Sequence, residues 1–254
     1  MVNSFSVFEQ VEIGQLAYNN GFENEPLLNG ENITLTSSRY PVKLVVSKND
    51  NGFFVVTDSE SVNAELQRHF LSNSLPLSVS GMALLADVIS QAARFAFSLP
   101  NNALEAYQAE LNKIVIETPT QTEALATVKR RIGQQKYREA MLQYWGGRCA
   151  VTGVSVVQVL RASHAKPWAE CETDAERLDV YNGFLLAAHL DALFDQFLIS
   201  FDASGQIVIS NQLCADDCAK IGIHPNLKLR WLAENHLTYL QYHQHKFQDL
   251  DDQF

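Results

Sequence analysis

The sequence predicts an α+β protein in two parts, a small mixed α/β module over residues 1–118 and a second module over residues 119–254. Three observations carry this. In the first part, apolar residues alternate on both sides of Asn49-Asp50-Asn51-Gly52, a hairpin turn signal, and then recur at helical spacing further on. The run Glu117-Thr118-Pro119-Thr120-Gln121-Thr122 is polar and contains a proline, as linkers do. Between Cys149 and Asp202 the pattern reads as strand, loop and helix in that order.

Taken in order, residues 7–18 fit an amphipathic helix with Val7, Val11, Ile13, Leu16 and Ala17 on or near one face, ended by Asn19-Asn20-Gly21. Residues 33–36, 42–47 and 53–57 read as strands. Residues 61–71 read as a helix with Ser59 or Ser61 as N-cap, residues 76–80 as a short extended piece, and residues 82–97 as a long apolar helix closed by Pro100. The result is a small antiparallel sheet flanked by helices. Phe53, Phe54, Arg39, Tyr40 and His69 are open to two readings, an aromatic and basic reading surface or ordinary core and surface residues.

Residues 122–140 read as a helix, mildly interrupted at Gly133 and continuing to Tyr144-Trp145. A strand at 156–160 runs into Ser163-His164, and an acid-rich loop ends at Asn182-Gly183. Residues 184–197 then place Leu185, Leu186, Leu190, Leu193 and Phe194 at helical spacing. On that helix Asp191 and Asp195, four apart, share a face. Strands at 206–210 and 227–231, a brief helix at 217–221 and a helix at 234–247 complete the chain. His236, His243 and His245 read as surface residues, because no acid is placed beside them for ligation.

A chain of 254 residues that is 46% hydrophobic builds one large domain or two ordinary ones. The net charge of −10 argues against a surface uniformly shaped for nucleic acid. The charge is uneven, however. Lys129, Arg130, Arg131, Lys136, Arg138 and Arg148 face a single acid, Glu139, within one stretch, and three aspartates crowd residues 248–254. Clustered cations suit phosphate, since binding releases counterions; the alternative is a solvated helix face. The four cysteines form no C-x-x-C pair, so neither a zinc ribbon nor a disulfide framework is expected. With no basic leader and no membrane-length apolar window, the expectation is a soluble cytoplasmic protein with reduced thiols.

Five spaced elements, GRCAVTG (147–153), HAKPW (164–168), RLDVYNG (177–183), LDALFD (190–195) and LISFD (198–202), together resemble the HNH endonucleases, the ββα-metal nucleases. The resemblance covers roughly residues 129–210. It implies a C-terminal ββα-metal nuclease domain that hydrolyses phosphodiester bonds in DNA, as in restriction or defence enzymes, with an N-terminal domain for target recognition or regulation. His164 takes the family's general-base position, and Asn182 the middle position that ties the loop down and orients the imidazole. Asp191 stands where the family often has its last histidine, and Asp195 at a ligand position used by some members. Two carboxylates suit Mg²⁺ or Mn²⁺ better than zinc. Ser163 occupies a position that is often a ligand elsewhere, and His189, two residues before Asp191, points away on a regular helix. The DNA-contacting set implied is Lys129, Arg130, Arg131, Lys136, Arg138 and Lys166. One-site HNH enzymes commonly need two active sites to cut both strands, which admits a homodimer. Ser163 and the missing last histidine leave a second expectation open, a catalytically weakened descendant that binds DNA or regulates.

Overall fold

The computed structural model describes residues 4–40, 42–49, 51–99, 102–117 and 123–251, and the chain divides into two compact units, Met1–Pro100 and Asn101–Phe254. The architecture is mixed α/β. Residues 118–122, the stretch with linker composition, lie outside the described residues. Among the described residues no single helix is long and apolar enough to cross a membrane.

The first unit opens with α1 (Val7–Asn19), started by a capping box in which the Ser6 hydroxyl accepts from the Glu9 amide and the Glu9 carboxylate accepts from the Ser6 amide. The buried face of α1 is Ile13 and Ala17, whereas Val7 is 76% and Val11 67% exposed. The apolar face expected from the sequence is therefore only half right. Five strands follow as an antiparallel meander: β1 (Leu27–Asn29), β2 (Asn32–Leu35), β3 (Leu44–Asn49), β4 (Gly52–Thr57) and, after the helix α2 (Glu60–His69), β5 (Leu77–Val79). The β3–β4 hairpin closes at Asn49↔Gly52, where the Asn49 side chain accepts from the Asn51 amide. A Cβ at Gly52 would lie 2.1 Å from the Val79 carbonyl oxygen, so glycine is what lets β5 pair so closely. Ser59 caps α2, and the buried Asn63 side chain bonds the Thr57 amide and carbonyl. The long helix α3 (Met82–Ser98) buries Leu85, Val88, Ile89, Ala92 and Ala96. Phe53 and Tyr40 are core residues while Phe54 is 37% exposed, so these aromatics do not form one outward surface.

The second unit begins with α4 (Asn102–Glu117), a helix that the sequence reading did not separate from its surroundings, and α5 (Glu123–Tyr144). The helix α5 is unbroken at Gly133. The glycine is there because the Trp168 indole lies on the helix: a Cβ would come within 2.5 Å of the ring. Next come β6 (Leu160–His164), α6 (Asp174–Leu178), β7 (Gly183–Ala187) and α7 (Ala188–Asp195). Two boundaries differ from expectation. Residues 157–159 form a 3₁₀ turn and the strand starts only at Leu160. Residues 184–187, expected in the helix, form with Gly183 a strand buried at every position. A strand covered on both faces is continuously apolar and loses the alternation that would distinguish it from a helix.

The strands β6 and β7 pair antiparallel, from Leu160↔Ala187 to His164↔Gly183, and α7 follows β7 directly. The hairpin β8 (Ile199–Phe201) and β9 (Ile207–Ile209), the short α8 (Ala215–Lys220) and the terminal α9 (His236–Asp251) complete the unit. Of the strand expected at 227–231, only an isolated bridge, Gln206↔Lys228, is present. The stripe His236, Leu240, His243 and Phe247 on α9 is buried, which corrects the reading of these histidines as surface residues.

Candidate active site

His164 ends β6 opposite Gly183. Its Nε2 lies 2.9 Å from the Arg177 carbonyl oxygen, which only accepts, so Nε2 carries the proton and Nδ1 keeps the lone pair. The ring stacks on Tyr137, with centroids 3.9 Å apart and planes at 24°, and meets Trp168 edge to face at 5.6 Å. Burial between these rings holds the imidazole down to about 4, with the Arg177 carbonyl pulling partly the other way. The side chain is therefore neutral at pH 7 and able to accept a proton at Nδ1.

The loop between β6 and β7 is held from inside by Asn182, which is fully buried. Its amide nitrogen donates to the carbonyls of Lys166 and Glu176, at 3.2 and 3.0 Å, and its oxygen accepts from the Lys166 amide at 2.8 Å. Arg177 braces the same loop: its guanidinium donates to the Trp168 and Cys171 carbonyls and pairs with Asp174 at 3.0 Å. It therefore serves neither Asp191 nor Asp195. Cys149, in the GRCAVTG element, is a buried free thiol whose sulfur accepts from the Thr152 and Ala187 amides.

The carboxylates come from α7. The buried Ser163 hydroxyl donates to Asp191 Oδ1 at 2.5 Å, joining the strand that carries His164 to the helix. One turn on, Asp195 lines a cavity of about 360 Å³ together with His164, Gln134, Trp168, Phe197 and His243. Desolvation pushes the Asp195 carboxyl up to about 6, and the charge of Asp191 adds to the shift. Neither carboxylate is ion-paired among the described residues, and no group of three or more His, Cys, Asp or Glu is gathered to hold a metal among them. His189 is exposed.

His243, which the sequence reading missed as an interior residue, also lines this cavity. Its Nε2 donates to the Phe194 carbonyl at 3.0 Å, which leaves Nδ1 to accept from the Ser200 hydroxyl at 3.0 Å. It thus fastens the last turn of α7 to α9. The signal for it was its spacing with Leu240 and Phe247, the apolar stripe of an amphipathic helix.

The expected DNA-contacting cations divide into two groups. Arg130 and Arg131 are exposed and Lys129 is half-buried, and none of the three has an ion-pair partner among the described residues. The other three are engaged within the chain. Arg138 donates to the carbonyls of Leu160 and Val157 at 2.7 and 3.0 Å, Lys136 pairs with Glu110 and Glu139, and Lys166 pairs with Glu176.

The chain as a whole matches no curated protein. The segment that contains His164, Asn182, Asp191 and Asp195 does find a counterpart: residues 149–202, about a fifth of the chain, match the family model HNH_2, described as HNH endonuclease.

Proposed function

We propose that this protein is a metal-dependent DNA endonuclease of the ββα-metal type, with His164 as general base. The observation that carries the reading is the imidazole itself. It is neutral, its proton is fixed on Nε2 by the Arg177 carbonyl, and its Nδ1 belongs to a ring that lines a cavity shared with a carboxylate. Taking a proton from water attacking a phosphodiester is the natural use of such a group. An arriving phosphate, being anionic, would raise its basicity toward the working pH.

The residues around it suit a hard divalent ion such as Mg²⁺ or Mn²⁺. Two carboxylates stand one helical turn apart with no basic side chain paired to either among the described residues, and Asp195 resists ionisation partly because Asp191 is charged. Asp191 and Asp195 would hold the ion, with Ser163 alongside, and water and substrate would complete a sparse protein shell, as Mg²⁺ tolerates. Once bound, the ion supplies charge to offset that which builds up on the scissile phosphate and the leaving oxygen. Asn182 keeps the loop folded so that the Arg177 carbonyl stays beneath the imidazole. Lys129, Arg130 and Arg131 supply phosphate contacts on the exposed side of α5, with Lys136, Arg138 and Lys166 acting at least in part as internal braces. The first unit chooses the target or regulates cutting, in a restriction or defence setting in the cytoplasm, and a homodimer would place two such sites on one duplex.

The Ser163–Asp191 bond also favours a second reading. A hydroxyl stands there and occupies a carboxylate oxygen that a metal would use, as expected of a nuclease-derived binding protein with weakened catalysis. Plasmid nicking separates the two. Mg²⁺- or Mn²⁺-dependent nicking by the wild type and none by His164→Ala supports the enzyme; DNA binding without nicking by either supports the second reading.

A further inference from the structure

We propose that Tyr137 is a positioning residue for His164, its ring setting the tilt of the imidazole and its hydroxyl clamping the backbone on both sides of it. The role rests on the nuclease reading of His164, but the contact can be tested without catalysis.

Tyr137 arrives from α5, ten residues before the GRCAVTG element, and is only 1% exposed. Its hydroxyl donates to the Asn182 carbonyl at 2.9 Å and lies 3.4 Å from that of Ser163. These are the residues immediately before Gly183 and His164, the last pair of the β6–β7 ladder. The Asn182 carbonyl also accepts from the Ala165 amide at 3.2 Å, so one phenol joins both strands where the ladder ends and the loop begins. Gly183 makes room for it: a Cβ there would lie 2.6 Å from the Tyr137 hydroxyl and 1.8 Å from the Ser163 carbonyl oxygen.

Packing alone does not account for the residue. A buried hydroxyl costs free energy unless it is bonded, and this one is bonded to the Asn182 carbonyl, a link that a phenylalanine filling the same space could not make. The imidazole is held by three restraints: the Arg177 carbonyl at Nε2, the Trp168 edge, and the Tyr137 face. The first two come from the loop and its flanks. Tyr137 alone of these stands on a helix outside the loop, so it references the base to a rigid element. Misplacement of a reacting group by about 1 Å costs on the order of 10²-fold in rate.

The test uses the full-length protein with Tyr137→Phe and Tyr137→Met. In metal-free protein, the stacked phenol shields the His164 ring protons, and NMR should show them upfield in the wild type and Tyr137→Phe but not in Tyr137→Met. In Mg²⁺-dependent nicking, Tyr137→Phe should lose roughly fivefold in kcat, the worth of one neutral hydrogen bond. Tyr137→Met should lose about 10²-fold, and KM should be unchanged in both. A folded Tyr137→Met with the wild-type ring shift and kcat overturns the proposal. If Tyr137→Met does not fold, Tyr137→Phe decides, and an unchanged kcat overturns it. If the wild type never nicks DNA, the nuclease reading fails, and the ring shift alone then decides whether Tyr137 sets the imidazole.

Discussion

At the scale of single residues, the proposed mechanism separates groups assigned to chemistry from groups that hold them. His164→Ala should abolish nicking, a loss of about 10²–10⁴-fold for a general base, with fold and DNA affinity nearly intact. Unchanged nicking would remove His164 from the mechanism. The two aspartates should separate in a way that their shared helix face did not suggest. Asp191→Ala strands the buried Ser163 hydroxyl, which should lower stability by about 1–3 kcal/mol even without metal. Asp195→Ala removes a carboxylate that its neighbour already disfavours, so the metal-free protein should melt no lower than the wild type. Both variants should need more Mg²⁺ to nick, Asp191→Ala the more. Thermal melts without metal, followed by Mg²⁺ titrations, check each part, and two wild-type titrations would move the ion elsewhere.

At the scale of elements, the cations of α5 divide into two groups that sequence composition alone had merged. Lys129, Arg130 and Arg131 are left for phosphate on the nuclease reading, whereas Arg138 donates to two backbone carbonyls next to the start of β6. Replacing Lys129, Arg130 and Arg131 together should flatten the log–log dependence of DNA affinity on salt by roughly 0.9 for each phosphate that is no longer neutralised. Arg138→Ala should leave that slope nearly unchanged and lower the melting temperature instead. The same helix carries Gly133 beneath Trp168, so Gly133→Ala should force the indole aside at a cost of about 1–3 kcal/mol. Tryptophan fluorescence together with a denaturant melt reads both effects. The helix α9 closes the unit from the other side: Tyr239 donates to Asp179 at 3.0 Å, Tyr242 to Glu170, and His243 to the last turn of α7.

At the scale of the whole molecule, a buried imidazole, His243, and a half-buried one, His164, make folding depend on pH. Burial holds both His243 and His164 down to about 4, against roughly 6.5 for an unfolded chain. Between those values the unfolded chain binds more protons. Their contribution is therefore fully present above about pH 6.5 and is lost as pH falls through 4. For His243, which is almost fully buried, this amounts to roughly 3 kcal/mol at most. Asp195, pushed up to about 6, acts in the opposite sense, its stability present below its unfolded value near 3.8 and lost as pH rises through 6, but it is an exposed residue and solvent screens it. The melting temperature should consequently drop between pH 7 and pH 4.5, and His243→Gln should flatten that drop. A pH-independent melting temperature in the wild type would contradict the desolvation of both rings.

What the sequence determined by itself was local. The turn at Asn49–Gly52, the Ser59 cap and the order of β6, loop and α7 depend on a few neighbouring residues, and the spaced motifs singled out His164, Asn182, Asp191 and Asp195 as one set of candidates. Tertiary structure decided whatever depends on which face is covered. Residues 183–187 are continuously apolar, and only burial on both sides makes them a strand rather than the start of a helix. Val7 and Val11 look like core yet lie in the open, and His236 and His243 look like surface yet lie inside. Arg138, Lys136 and Lys166 have the composition of a phosphate-binding stripe, but their charges are met by carbonyls and carboxylates up to 26 positions away. Tyr137, 27 residues before His164, stacks on it only because α5 packs beside the hairpin. Periodicity records that a residue has a side to hide; it carries no record of what will come to cover it.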